Sequence, residues 1–235
     1  PLQRFNGVGT FQHITAANSP APYRDDLFGE QSARHLFISA PAYNVVRREL
    51  LQPSGVSFTS SRPEGADGPE FLASSDAWFR PITLRTGPDG ALWIADFYRL
   101  VLEHPQWIPN DVEERIDLRS GSDRGRIYRI YPVGTKAKPT PNLASKTTSQ
   151  LVAALDSPNG WQRDTAQQLL VRQNHKSATK QLTNLLQSST NPKARLHALC
   201  TLEGLGQLRA EHAVAGMSDH HPGVREHAIR VSEIL

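Results

Sequence analysis

The sequence predicts an all-β segment followed by an all-α segment, and three observations carry that reading. Between residues 81 and 96 apolar and polar side chains alternate with the period of half-buried strands. From about residue 149 onward a set of residues recurs about every 31 positions, as in a helical repeat. Between these parts, YPVGTKAKPTPNLASKTT is rich in Pro, Lys and Thr and has no period, which marks a linker. The expected division is a β region at 1–133, a linker at 134–148 and helical repeats at 149–235.

In the β region, residues 10–17 read as an inner strand and NSPAPYRDDLFGE as a Pro-rich loop. Strands follow at 35–39, 44–50 and 56–61, and a loop rich in Gly, Pro and acid covers 62–69. Next comes a three-stranded meander. Ile82 and Leu84 alternate with Thr83 and Arg85, Leu92 and Ile94 alternate with Trp93 and Ala95, and residues 126–130 supply the third strand. Gly87-Pro88-Asp89-Gly90 joins the first two: Pro88 presets φ, Asp89 can bond its own backbone, and Gly90 takes the positive φ that ends a tight turn. Two successive antiparallel units are the pattern of the last two or so blades of a partial β-propeller. A propeller needs at least four blades of roughly 40 to 50 residues, so further blades are expected before Pro1, in a longer protein.

In the helical region Leu155, Leu186 and Met217 recur, each followed by a Pro (Pro158, Pro192, Pro222), an Arg (Arg163, Arg195, Arg225) and an Ala (Ala166, Ala198, Ala228). The pattern predicts a helix ending near the first residue, a polar turn containing Pro, and a second helix starting before the Arg. Small Ala lets the paired helices approach, and Leu169, Leu199 and Ile229 supply the apolar stripe. This is a HEAT-like solenoid, and its last repeat lacks a polar cap, so continuation is expected.

Bulk properties exclude several classes. A mean hydropathy of -0.47 and the lack of a long apolar run leave no membrane-spanning helix. A net charge of +3, with basic residues scattered, argues against a nucleic-acid partner. The single cysteine, Cys200, sits in an apolar helical run and cannot form an internal disulfide or a C-x-x-C-H haem attachment. Asp219, His220 and His221 invite a metal reading, but adjacent His in a turn point apart. No GxSxG, Walker, Rossmann or HExxH pattern occurs.

GPDGALWIADFYR, EHPQWIP and GRIYRIYP, preceded by WFRP and YNVVRREL, resemble the propeller end of a membrane-bound dehydrogenase family of planctomycetes and verrucomicrobia, the PVC-type haem-binding proteins. That family is similar to soluble pyrroloquinoline-quinone sugar dehydrogenases, and its members continue into HEAT-type repeats and a c-type cytochrome domain. The resemblance implies an exported, periplasmic or membrane-associated oxidoreductase that acts on sugars or related alcohols. It also implies pyrroloquinoline quinone and Ca²⁺ in the intact propeller, and haem c outside these residues. A carbohydrate or alcohol substrate, a cytochrome c domain or protein, and a protein partner on the HEAT surface are the implied partners.

The meander's topology gathers candidates for that chemistry. An antiparallel hairpin places the end of its second strand beside the start of its first. Asp76, Trp78 and Arg80 then share one face with Asp96, Tyr98, Arg99, Glu103 and His104, and the third strand adds Arg124 and Arg126. The connection after Phe97, about 28 residues long, is long for a blade loop. Quinone-dependent oxidation of a hydroxyl needs a base, cations for the quinone carboxylates, and oxygen ligands for a divalent ion. His104 is the candidate base, with Arg80 and Asp96 as further catalytic candidates. Arg99, Arg126, Tyr98 and Trp78 are the cofactor-binding candidates, and Glu103 or Asp96 the ion ligand. Each has a structural alternative: Asp96 and Arg80 as an ion pair sealing the strands, His104 and Pro105 fixing the loop, and the aromatics packing between blades. A non-catalytic glycan- or protein-binding scaffold is the alternative function.

Overall fold

The computed structural model describes residues 16–29, 31–63, 69–102, 104–135 and 138–235. Antiparallel sheets fill the N-terminal half and helices the C-terminal half. The chain divides into two compact units, with the boundary between residues 137 and 138.

In the first unit, β1 (Asn18–Pro22), β2 (His35–Ala40), β3 (Val45–Ser54) and β4 (Ser57–Ser61) form one sheet in sequence order, and the short β5 (Leu72–Ala73) pairs with β3. Strand β1 falls where the sequence reads as a Pro-rich loop, whereas most of the strand expected at 10–17 lies outside the described residues. Its register with β2 slips between Asn18 and Ala21, and among the described residues it pairs through one side only. An edge position of that kind tolerates Pro20 and Pro22, which lack a ladder N–H.

The second sheet is the meander β6 (Pro81–Thr86), β7 (Leu92–Asp96) and β8 (Arg126–Ile130), in that order. In the turn between β6 and β7, Gly87 N–H donates to Ala91 O at 2.8 Å and Gly90 adopts φ +83°. Asp89 is fully buried there. Its Oδ1 accepts from Ala91 N–H and, at 2.9 Å, from the Trp93 indole, while its Oδ2 accepts from Arg129 at 3.1 Å. One turn carboxylate thus fastens the hairpin to β8. Phe37, Val46, Leu84, Leu92 and Ile94 make the core with Ala21 and Tyr23, whose hydroxyl donates to Gly90 O. A four-residue helix, α1 (Asn110–Glu113), lies in the long connection between β7 and β8.

The second unit is three helical hairpins: α2 (Thr148–Ala154) with α3 (Gly160–Arg172), α4 (Thr179–Ser188) with α5 (Pro192–Gly204), and α6 (Ala210–Met217) with α7 (Pro222–Ser232). Leu143, inside the stretch read as a linker, is buried in this unit's core. Asn159, Asn191 and His221 cap α3, α5 and α7 by accepting backbone N–H bonds, which satisfies donors that a helix start leaves open. The recurring arginines have a common task. Nη1 of Arg163 donates to Ser157 O and Pro158 O, that of Arg195 to Ser189 O, and that of Arg225 to Asp219 O and His220 O. Each guanidinium therefore ties a second helix to the turn leading into it. Ala166, Ala198 and Ala228 have no exposed surface. Among the described residues no helix is long and apolar enough to cross a membrane.

Candidate functional site

The hairpin brings the residues before β6 against those after β7. Arg80 N–H donates to Asp96 Oδ1 at 2.8 Å, Phe97 N–H to Arg80 O at 2.9 Å, and Arg99 N–H to Trp78 O at 3.1 Å. Trp78, Arg80, Asp96, Tyr98 and Arg99 are thereby neighbours, and β8 delivers Arg126 opposite Asp96.

Within that group the side chains are used differently. The Arg80 guanidinium is buried and directed at backbone carbonyls: Nε donates to Arg99 O at 2.9 Å, Nη2 to Leu100 O at 2.9 Å and Nη1 to Pro41 O at 3.0 Å. It holds the exit of β7 to the turn between β2 and β3. Asp96 meets the backbone N–H of Arg80, so the pair is joined without a guanidinium–carboxylate bridge. Asp96 Oδ1 also accepts from Tyr98 N–H at 2.8 Å, while Oδ2 is buried with no hydrogen-bond partner. His104 is exposed, and its Nδ1 accepts from Gln106 N–H at 3.2 Å, capping the turn at Pro105–Trp107. Its ring takes no part in the hydrogen bonds linking Asp96, Arg80 and Tyr98. Glu103 lies outside the described residues.

Tyr98 is the hub. It adopts φ +48°, a left-handed conformation that costs a bulky L residue on the order of 1–3 kcal/mol and persists only where surroundings over-determine it. Its N–H is held by Asp96, its hydroxyl donates to Asp76 Oδ2 at 3.0 Å, and its ring lies 5.7 Å from that of Trp78. The Arg126 guanidinium sits 3.8 Å from the Tyr98 ring centroid, and Arg99 covers Phe97 at 4.3 Å. Arg126 is a cation at any ordinary pH, and its interaction with Tyr128, then with the nearby Tyr98 and Asp96, raises its pKa further. Gly121, at φ +88°, passes so close that a Cβ would stand 2.3 Å from Tyr98 O. Asp76 in turn accepts the Trp78 N–H at 2.9 Å, fixing the approach to β6.

These contacts leave a surface of one carboxylate, two aromatic rings and one or two cations. Arg99 and Arg126 fit an anionic ligand; Arg80, spent on three carbonyls, does not. Asp96 Oδ2 is, among the described residues, the group's one carboxylate oxygen that is buried and without a hydrogen-bond partner. Among the described residues no three His, Cys, Asp or Glu side chains gather to hold a metal ion. The sequence reading placed Asp76 on this face without a role, and its bond to Tyr98 spans 22 positions and leaves no local signal. Gly121, about as distant in the chain from Tyr98, had no place in that reading.

A family described as a domain of unknown function, DUF7133, matches residues 1–134, more than half of the chain. The chain belongs to the DUF7133 family. Comparison with curated proteins and with solved structures returns no match. The DUF7133 region takes in both sheets and the whole Tyr98 group, and the helical hairpins follow it.

Proposed function

We propose that the DUF7133 region contributes blades to a β-propeller, that the hairpins are a HEAT-type array, and that the two form a binding scaffold. The Tyr98 face takes a carbohydrate and the helices take a protein partner. The observation that carries this reading is the use of the polar groups. Arg80 and the Nδ1 of His104, two of the three catalytic candidates, are committed to backbone bonds, while Trp78, Tyr98, Asp76 and Arg126 remain together at the surface. Aromatic rings accept the apolar faces of a sugar, and flanking carboxylate and guanidinium groups hydrogen-bond its hydroxyls.

The redox reading is a second proposal, supported by Asp96 Oδ2. Oxidation of a sugar or alcohol by a quinone requires a proton acceptor for the hydroxyl, and this buried carboxylate oxygen without a partner lies beside that surface. An exported location and electron transfer to a c-type haem domain belong to this second proposal through the family resemblance.

Calorimetric titration of the folded protein with a sugar panel, in parallel with a dye-linked assay containing pyrroloquinoline quinone and Ca²⁺, separates the two. The scaffold reading expects saturable sugar binding that Arg126→Ala weakens at unchanged melting temperature, and no dye reduction. Absence of binding to every sugar overturns it. Quinone-dependent dye reduction that disappears in Asp96→Asn moves the assignment to an oxidoreductase.

A further inference from the structure

The two helices of the third hairpin start on imidazole nitrogens, where the first hairpin uses amide oxygens. At the start of α2, Thr147 N–H donates to Gln150 Oε1 at 3.0 Å, and Asn159 and Asn191 accept open N–H groups of α3 and α5. In the third repeat His212 stands at the position of Gln150, and His221 in the turn that carries those Asn. Arg209 N–H donates to His212 Nδ1 at 3.1 Å, and Gly223 N–H to His221 Nδ1 at 3.1 Å. A ring nitrogen that accepts a backbone N–H carries no proton. His212 is fixed at its other end too: the Thr183 hydroxyl donates to Thr179 O, so it accepts from His212 Nε2, 3.0 Å away. His212, 3% exposed, is therefore neutral with both nitrogens matched, and it fastens α6 to α4. Two other imidazoles of the unit are placed differently. His197 has Gln167 Oε1 at 2.6 Å and Asp164 Oδ1 at 3.7 Å, and His175 has Thr148 Oγ1 and Gln173 Oε1, each at 2.8 Å. Oxygen faces both nitrogens of each ring, so a second proton leaves their bonds in place.

A proton on His212 Nδ1 sets a donor against the Arg209 N–H inside a buried seam, and one on His221 Nδ1 does the same to the Gly223 N–H. We propose that mild acid releases the third hairpin: protonation of His212, aided by His221, undoes the starts of α6 and α7 and frees α6 from α4, while the first two hairpins stay closed. The charged groups acting on His212 are Glu211, whose exposed carboxylate is 3.9 Å from Nε2, and Arg209; α4 meets it with the uncharged Thr183, and among the described residues no charge from α4, α5 or α7 adds to these. Burial outweighs Glu211 and, with Arg209, holds the His212 imidazole below its ordinary value of 6.5. A depressed folded value gives stability that is whole above the ordinary value and is lost as pH falls from there through the folded one. Around His221 stand Asp219, His220 and Arg225, with Arg195 of α5 bonded to Asp219. The Asp219 carboxyl, held below its ordinary value of 3.8 by Arg195, stays charged while the imidazoles titrate. The inference stands on the helical unit alone and is independent of what the sheets bind.

Hydrogen exchange of the whole chain, read by mass spectrometry at pH 7.5 and pH 5.5 and corrected for the intrinsic rate, tests this. An imidazole that must be neutral in the closed form shifts opening about tenfold at one pH unit below its ordinary value. Amides at 210–217 and 222–232 therefore exchange about tenfold faster at pH 5.5, and those at 160–172 and 192–204 keep their rates. The double variant His212→Gln with His221→Asn gives the third hairpin the caps of the first, and it removes the acceleration. Equal acceleration in that variant overturns the proposal and passes the effect to His227, whose buried Nδ1 has no hydrogen-bond partner among the described residues. If the double variant does not fold, the parent chain and His221→Asn decide. Acceleration in the third hairpin alone, lowered by His221→Asn, supports the proposal; acceleration in all three hairpins, or in none, overturns it.

Discussion

Replacing Arg80 with Ala tests what holds the Tyr98 face in place. Arg80 is 7% exposed, and its guanidinium donates to carbonyls of Pro41, Arg99 and Leu100. Removing it strips charge-assisted bonds and leaves three carbonyls to find other donors. A bond to a charged group contributes about 1.5–3 kcal/mol, and water entering the space left by the side chain recovers part of the sum, so Arg80→Ala costs about 3–5 kcal/mol. For a unit of this size that lowers the melting temperature by about 10–20 °C. Three of the four tryptophans, Trp78, Trp93 and Trp107, are in the β region, so fluorescence melting in a Trp161→Phe background reports this unit. Arg80→Lys recovers less than half of the loss, because one ammonium cannot reach carbonyls arranged for a planar fork. Melting of Arg80→Ala within about 2 °C of the parent would refute the reasoning, since the stated bonds could not then be worth their usual value.

Two further outcomes follow from the same kind of accounting. Asp89→Ala removes the acceptor shared by the Trp93 indole, Ala91 N–H and Arg129; it costs about 2–4 kcal/mol in the fluorescence melt, while Arg129→Ala, whose side chain is half exposed, costs about 1 kcal/mol or less. In the helical unit, hydrogen bonding from Arg195 holds the Asp219 carboxyl below its ordinary value of 3.8. A depressed folded pKa gives stability that is present above the ordinary value and lost as pH falls through the folded one. Urea melts followed by circular dichroism from pH 5 down to pH 2 therefore show an acid-limb loss that Arg195→Ala removes, and an unchanged limb in that variant would count against the bridge.

Much of the fold is legible because its signals are local. The alternation around Leu84, Leu92 and Ile94 and the turn from Gly87 to Gly90 specify a hairpin within sixteen residues of chain. The recurrence of Arg163, Arg195 and Arg225 marks the hairpin repeat, although the reason for it, carbonyls of the preceding turn, emerges only in three dimensions. Strand β1 was hidden because NSPAP carries two prolines and reads as a turn; an edge position with slipped register accommodates them. The candidate site was legible as a neighbourhood, since hairpin geometry alone puts Arg80 beside Asp96. The use of each side chain was not. Arg80 reaches Pro41, 39 positions away, and no property of either residue announces that a guanidinium will be spent on a carbonyl rather than on a ligand.

The turn-binding arginines also set where the helical array can bend. Each one fixes the angle inside its own hairpin, so compliance is left to the seams between hairpins. The seams differ. Between the first and second hairpins, Asn191 and Ser189 donate to Asp156 at 2.9 and 3.4 Å and Gln181 donates to Ser149 at 2.9 Å, whereas between the second and third, Arg195 grips Asp219 with two bonds at 2.6 and 2.7 Å. The second seam carries two arginine–carboxylate pairs, Arg195–Asp219 and Arg230–Glu203, where the first is held by amide and hydroxyl bonds, so acid that neutralises Asp219 weakens one joint of the array and spares the other.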